Sequence, residues 1–185
     1  DPRAFNMLVA PEHYMELRLR IEQAMEETLR VAEEVHADFA RRFGRSYGLV
    51  EAYRLDDAEV VLVTAGASSG TARVVIDEMR ERSVAAGLLR LRFFRPFPAA
   101  VVRRLLTGVR KVGVIDRNIS FGQGGIFAAE LKAALYDEPR RPQVFDFVVG
   151  LGGRDITPAT VRGIIAYLLE HDAPPDRPVW WEVKA

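Results

Sequence analysis

Four short apolar runs, each followed by a segment with helical spacing, constrain this chain more than any other feature. The runs are 59–64, 86–93, 111–116 and 144–149, rich in Val, Leu, Ile and Phe with little of the alternation that marks a strand wet on one face. Between and after them lie 71–82, 99–106, 126–135 and 158–169, each with an apolar stripe at intervals of three and four. Strand and helix taking turns four times is the βαβ pattern. It predicts an α/β domain of three layers, a mostly parallel sheet with right-handed crossovers and helices on both faces. Thr157-Pro158 and Phe97-Pro98 each read as an N-cap followed by proline at the first helical position.

Ahead of this domain, residues 12–43 contain neither Pro nor Gly, and Tyr14, Leu17, Ile21, Met25, Leu29, Ala32, Val35 and Phe39 recur at helical spacing. They predict one amphipathic helix on the order of 45 Å long, stopped by Gly44 and reaching beyond its own domain. An apolar patch along Leu17, Ile21 and Met25 is expected when the domain stands without partners. The division expected is a linker and long helix over 1–48 and an α/β domain over 49–185, with 44–57 as connector. The proline-containing tail ends in Val179-Trp180-Trp181-Glu182-Val183, where the tryptophans pack as a short edge strand or against a partner. The chain opens on Asp-Pro without a basic or apolar leader, so it reads as a C-terminal piece of a larger polypeptide.

Composition removes several function classes. With 26 basic and 26 acidic residues there is no net field to attract nucleic acid, and no run of five like charges. No stretch approaches the roughly 20 apolar residues that span a bilayer, so no membrane is expected and a cytoplasmic location is. The absence of cysteine excludes Cys-ligated zinc and any iron–sulfur cluster held by this chain's own thiolates.

In an open α/β sheet ligands sit outside the carboxyl ends of the strands, here the loops 66–70, 95–98, 116–125 and 150–155. None carries a nucleotide fingerprint. The first, Gly66-Ala67-Ser68-Ser69-Gly70, lacks the Gly-Lys-Ser/Thr ending of a phosphate loop and reads as a tight turn with a serine-capped helix. The third and fourth have two glycines one apart but Phe127 and Asp155 where a dinucleotide loop needs its third. His13, His36 and His171 lie away from these loops, which leaves Ser68, Ser69 and Ser120 without a base. Asp116 with Arg117 and Asp155 with Arg154 are expected to form ion pairs at the sheet edge, and no residue is assigned a catalytic, cofactor-binding or metal-binding role.

Six ordered strings resemble the alpha subunit of pyruvate (2-oxoacid):ferredoxin oxidoreductases: Ala10-Pro11-Glu12-His13-Tyr14-Met15-Glu16, the run 43–54, Asp57-Ala58-Glu59, Arg92-Phe93-Phe94-Arg95-Pro96-Phe97-Pro98, Asp116-Arg117-Asn118-Ile119-Ser120-Phe121-Gly122 and the run 150–157. The resemblance extends to about residue 170. It implies the second domain of that subunit, similar to the C-terminal domain of transketolases. It further implies a parent complex that decarboxylates a 2-oxoacid on thiamine diphosphate and Mg, reduces ferredoxin through iron–sulfur clusters and transfers the acyl group to coenzyme A. The preceding domain, the beta subunit and an iron–sulfur subunit or domain would be partners in an oligomer, and this chain alone would be inactive. Arg95, Phe97, Asn118, Phe121 and Gln123, on loops that in this family face the rest of the assembly, are the expected interface. The competing reading is a stand-alone nucleotide-binding or interaction module.

Overall fold

The apolar runs become strands because their side chains find cover on both sides, and the computed structural model, which describes residues 8–184, shows what covers them. Six strands, β1 (Val50–Tyr53), β2 (Val60–Ala65), β3 (Ala86–Leu91), β4 (Lys111–Asp116), β5 (Gln143–Val148) and β6 (Val179–Trp180), form one sheet in the order β1-β3-β2-β4-β5-β6. All neighbours are parallel except β1, which runs antiparallel to β3 with Val50 opposite Leu91 and Tyr53 opposite Leu88. The helices are α1 (Pro11–Phe43), α2 (Ser68–Glu81), α3 (Ala99–Leu106), α4 (Ile126–Leu135) and α5 (Pro158–Glu170).

Period-two alternation sorts the strand residues between two cores. Val60, Leu62, Leu88, Ile115, Phe145 and Phe147 pack with α2 and α5 on one face. Val61, Val63, Leu89, Leu91, Val112, Val114 and Val144 pack with α3 and α4 on the other. Gly113 sits where a Cβ would come within 2.6 Å of Leu168 and 3.2 Å of Phe147, so this central strand position admits only glycine without displacement.

The chain divides into two compact units, Asp1–Ser46 and Tyr47–Ala185. In the first, α1 runs without interruption, Arg30 bridges Glu27 and Glu34, and Arg41 and Arg42 both reach Asp38. Gly44 adopts a left-handed conformation, φ 69°, and returns its N–H to the Ala40 carbonyl. None of the residues of α1 is buried.

The predicted strands and helices are present within a few residues, with three differences of detail. β1 lies inside the expected connector, where it adds an antiparallel edge. α2 starts at Ser68 without a serine cap: Ser68 Oγ donates to the Ala65 carbonyl and Ser69 Oγ bonds Thr64 Oγ1 at 2.8 Å, tying helix to strand instead. Pro98 is itself the N-cap of α3, because its ψ of 56° is not helical. Only Thr157 caps as expected, in a reciprocal box with Thr160 that Glu182 extends by accepting the Thr160 hydroxyl at 3.0 Å. The tail takes the edge-strand form: Val179 and Trp180 pair with Phe147 and Val148, and Trp181 lies so close over Gly163 that a Cβ there would meet its ring at 2.7 Å.

Lys111 is 1% exposed, an unusual place for an ammonium. Its Nζ donates to the carbonyls of Leu168 at 2.9 Å and His171 at 2.7 Å, which closes the C-terminal end of α5, where the helix dipole favours a cation. Asp172, at 3.8 Å and fully exposed, adds little. Lys111→Met keeps the apolar stem and orphans the carbonyls, so urea unfolding should show a loss of about 2 kcal/mol.

Candidate functional site

The direction of the chain reverses at β2, whose neighbours β3 and β4 lie on opposite sides, and this makes the carboxyl ends of β2 and β4 the place where an α/β sheet opens a ligand crevice. Two loops meet there, the turn before α2 and the segment between β4 and α4. Two concavities, of about 510 and 610 Å³, open at the opposite, amino ends of the strands around Val109 and Arg110.

The start of α4 is where the sequence places its chemistry. A helix presents unpaired N–H groups at its first turn, and these are the usual anchors of an anion. Here side chains of the same domain take all four. Gly125 N–H donates to Asp146 Oδ2 at 2.9 Å, Ile126 N–H to Asn118 Oδ1 at 2.8 Å, Phe127 N–H to Asp116 Oδ1 at 3.0 Å and Ala128 N–H to Asp116 Oδ2 at 3.0 Å. Asn118 also donates its Nδ2 to Asp116 Oδ1 at 2.8 Å. The positive end of the helix is therefore neutralised from within, by a buried strand-end carboxylate, its neighbour on β5 and one loop amide. Burial raises the Asp116 carboxyl above the usual range, and the N–H groups around it act in the opposite direction.

The expected ion pairs are not formed. Asp116 points into the α4 face while Arg117, one residue on, turns the other way toward the Gly150 carbonyl, because consecutive strand residues face opposite sides. Asp155 is exposed and accepts the N–H of Ile156, and Arg154 bonds the Glu182 carbonyl.

Between Asn118 and Gly125 the chain makes a tight hairpin closed by Ser120 and Gly124, which exchange N–H···O bonds of 2.8 and 3.0 Å. Phe121 at its tip is 89% exposed and Gln123 is exposed beside it. The loop after β3 is knitted to α4: Phe94 meets Phe127 edge-on at 4.8 Å, and Arg95 stacks on Phe94 and pairs with Glu130. Of the five interface candidates, Arg95, Phe121 and Gln123 thus face outward. Phe97 packs on the α3–α4 core and Asn118 is consumed by the helix cap. Sequence reasoning assigned no role to Asp146, which completes the cap at Gly125, although an Asp inside an apolar strand run is itself a signal that a partner waits for it.

Among the described residues no cluster of three His, Cys, Asp or Glu is placed to hold a metal, and no helix is long and apolar enough to cross a membrane. A diphosphate at this crevice would need the N–H groups that Asp116, Asn118 and Asp146 already occupy, so the residues present do not fit a thiamine diphosphate anchor.

Fold and edge together define a doubly wound α/β domain in which the start of α4, at the strand ends, is sealed by the domain's own side chains. A family model described as pyruvate:ferredoxin oxidoreductase core domain II matches residues 58–161, more than half of the chain, and the chain belongs to that family. The "Pyruvate synthase subunit PorA" of Methanothermobacter thermautotrophicus is 42% identical over 181 residues, which make up 98% of this chain and 45% of that protein. The "Ketoisovalerate oxidoreductase subunit VorA" of Pyrococcus abyssi is 38% identical over 165 residues, 89% of this chain and 42% of its own. This chain therefore spans less than half the length of these relatives. Among solved structures, a 2-oxoglutarate:ferredoxin oxidoreductase from Magnetococcus marinus with 2-oxoglutarate, coenzyme A and succinyl-CoA bound matches with a TM-score of 0.50 and 18% identity, over 72% of this chain and 21% of that one. That likeness is one of fold.

Proposed function

We propose that this chain is a non-catalytic structural domain in the alpha subunit of a thiamine-diphosphate-dependent pyruvate or 2-oxoacid:ferredoxin oxidoreductase of the cytoplasm. The parent enzyme would convert a 2-oxoacid to acyl-CoA and CO2 and pass the electrons to ferredoxin. Thiamine diphosphate with Mg and the iron–sulfur clusters would be held by the preceding domain of the subunit, the beta subunit and an iron–sulfur subunit or domain, with coenzyme A as co-substrate. Membership of the core domain II family and the PorA and VorA relatives support this reading.

The observation that carries the structural role is the sealed start of α4. Three side chains from β4, β5 and the intervening loop use up the donors that a ligand would need, and the same bonds fix a hairpin that projects Phe121 into solvent. An aromatic ring presented on a rigid turn suits packing against another protein surface, since such anchors carry much of the energy of an interface. Arg95, held by Phe94 and Glu130, stands on the adjoining loop and would complete the contact.

Phe121→Ala tests this in the reconstituted enzyme. Because the ring is exposed, unfolding of the domain should shift by no more than about 0.5 kcal/mol. Subunit association should weaken roughly tenfold or more, as for a central aromatic anchor, and Arg95→Ala should act in the same direction. Association and turnover both unchanged in the two variants would overturn the assignment of this face.

A further inference from the structure

Beneath the first turn of α4, two carboxyl groups flank one glycine. Asp116 ends β4 and Asp146 lies on β5, where the register sets Val114 opposite Asp146 and Asp116 opposite Val148, so the two side chains are diagonal neighbours on one face. They are 0% and 7% exposed. Three of their four oxygens have donors: Asp116 Oδ1 accepts from Phe127 N–H and Asn118 Nδ2, Asp116 Oδ2 from Ala128 N–H, and Asp146 Oδ2 from Gly125 N–H. The fourth, Asp146 Oδ1, is buried without a hydrogen-bond partner among the described residues. This orphan and Asp116 Oδ2 face the same spot, for a Cβ added to Gly125 would strike both.

Among the described residues no cation pairs with either carboxyl. Arg117 on the loop points to the Gly150 carbonyl, and Glu130 on α4 is engaged by Arg95. Asn118 approaches only as an amide, the tail reaches Gly124 through the apolar ring of Pro178, and Asp146 acts on Asp116 as a like charge. Two ionised carboxylates here would set an unpaired acceptor beside a like charge in a buried site, which is the arrangement proteins avoid by keeping a proton. Burial pushes the Asp116 carboxyl in the same direction.

We infer that Asp116 and Asp146 share one proton, carried on Asp116 Oδ2 and donated to Asp146 Oδ1. The bond satisfies the orphan, leaves Asp116 Oδ2 a lone pair for the Ala128 N–H, and reduces the pair to a single negative charge at the start of α4, where the helix dipole favours one. The proton thereby acts as the last member of the cap that holds the 120–124 hairpin. None of this depends on which assembly the domain serves.

Infrared spectroscopy of the full chain at pH 6, about two units above the usual carboxyl range, reads the proton directly. The wild type should show a protonated-carboxyl C=O stretch that disappears in Asp146→Asn and in Asp116→Asn, with circular dichroism reporting that each is folded. In Asp146→Asn the amide takes the proton's place, donating to Asp116 Oδ2 while its oxygen accepts from Gly125 N–H. The sign of the pH dependence follows: the native state keeps a proton that the unfolded chain releases above about pH 4, so wild-type stability falls as pH rises through the raised value of Asp116. In Asp146→Asn that fall should shrink. A wild type without the acid band at pH 6 overturns the inference, as does a band that survives in Asp146→Asn. Should Asp116→Asn not fold, the other two spectra decide alone.

Discussion

Asp116→Ala should destabilise the domain by roughly 3–5 kcal/mol, because each buried donor left without an acceptor costs about 1–3 kcal/mol. The substitution strips acceptors from the N–H groups of Phe127 and Ala128 and from the amide of Asn118, which in turn holds Ile126. Ala128 is fully buried, so its N–H would be left without an acceptor away from the surface. Part of the loss is offset, since a desolvated carboxyl is removed along with its bonds. Urea unfolding monitored by the two tryptophans gives the number. A loss below about 1 kcal/mol would mean that the first turn of α4 finds other acceptors, and that the hairpin is not held by this cap.

The other large effect lies on the opposite face. Phe147 is fully buried and touches three aromatic neighbours: Phe145 at 6.5 Å, Tyr167 at 5.5 Å and Trp181 at 6.0 Å between ring centroids. Phe147→Ala should cost about 3–5 kcal/mol, the transfer free energy of the ring plus the cavity it leaves. The cavity cannot collapse easily, since the ring is wedged beside Gly113 and the strand on either side is fixed by parallel pairing. Trp181 would lose the wall on which it rests, so the residues from Val179 onward should also become sensitive to protease while the rest of the domain is still folded. Loss of stability without any change at the tail would show that β6 is anchored by Gly163 and Glu182 alone.

What could be read in advance follows from how local each signal is. The four central strands and α2 to α5 were legible because burial on both faces leaves an apolar run that nothing else in a polar chain imitates. Gly44 and Thr157 announced their helix ends through chemistry contained within four residues. β1 was not legible: Val50-Glu51-Ala52-Tyr53 is too short for a period, and Glu51 is stabilised by Arg73, Arg90 and Arg92, which come from elsewhere in the chain. Lys111 stood in plain sight at the head of a strand, yet the carbonyls it serves belong to Leu168 and His171. The strand-end loops were located correctly, but not the manner of their closure. Pairing Asp116 with Arg117 ignored that neighbours on a strand point apart, and the groups Asp116 does meet include the N–H groups of Phe127 and Ala128, 11 and 12 positions away on the next helix.

The two margins of the sheet bear on how such a domain keeps company. β1 offers only four residues of unpaired backbone, with Glu51 and Arg90 facing each other across its ladder. At the far side β6 stops after two, where Glu182 takes φ 60° and swings the chain off the strand line. Short, charged and bent margins refuse the addition of a foreign strand. Crowded against many copies of itself, this domain offers little template on which fibrils could grow.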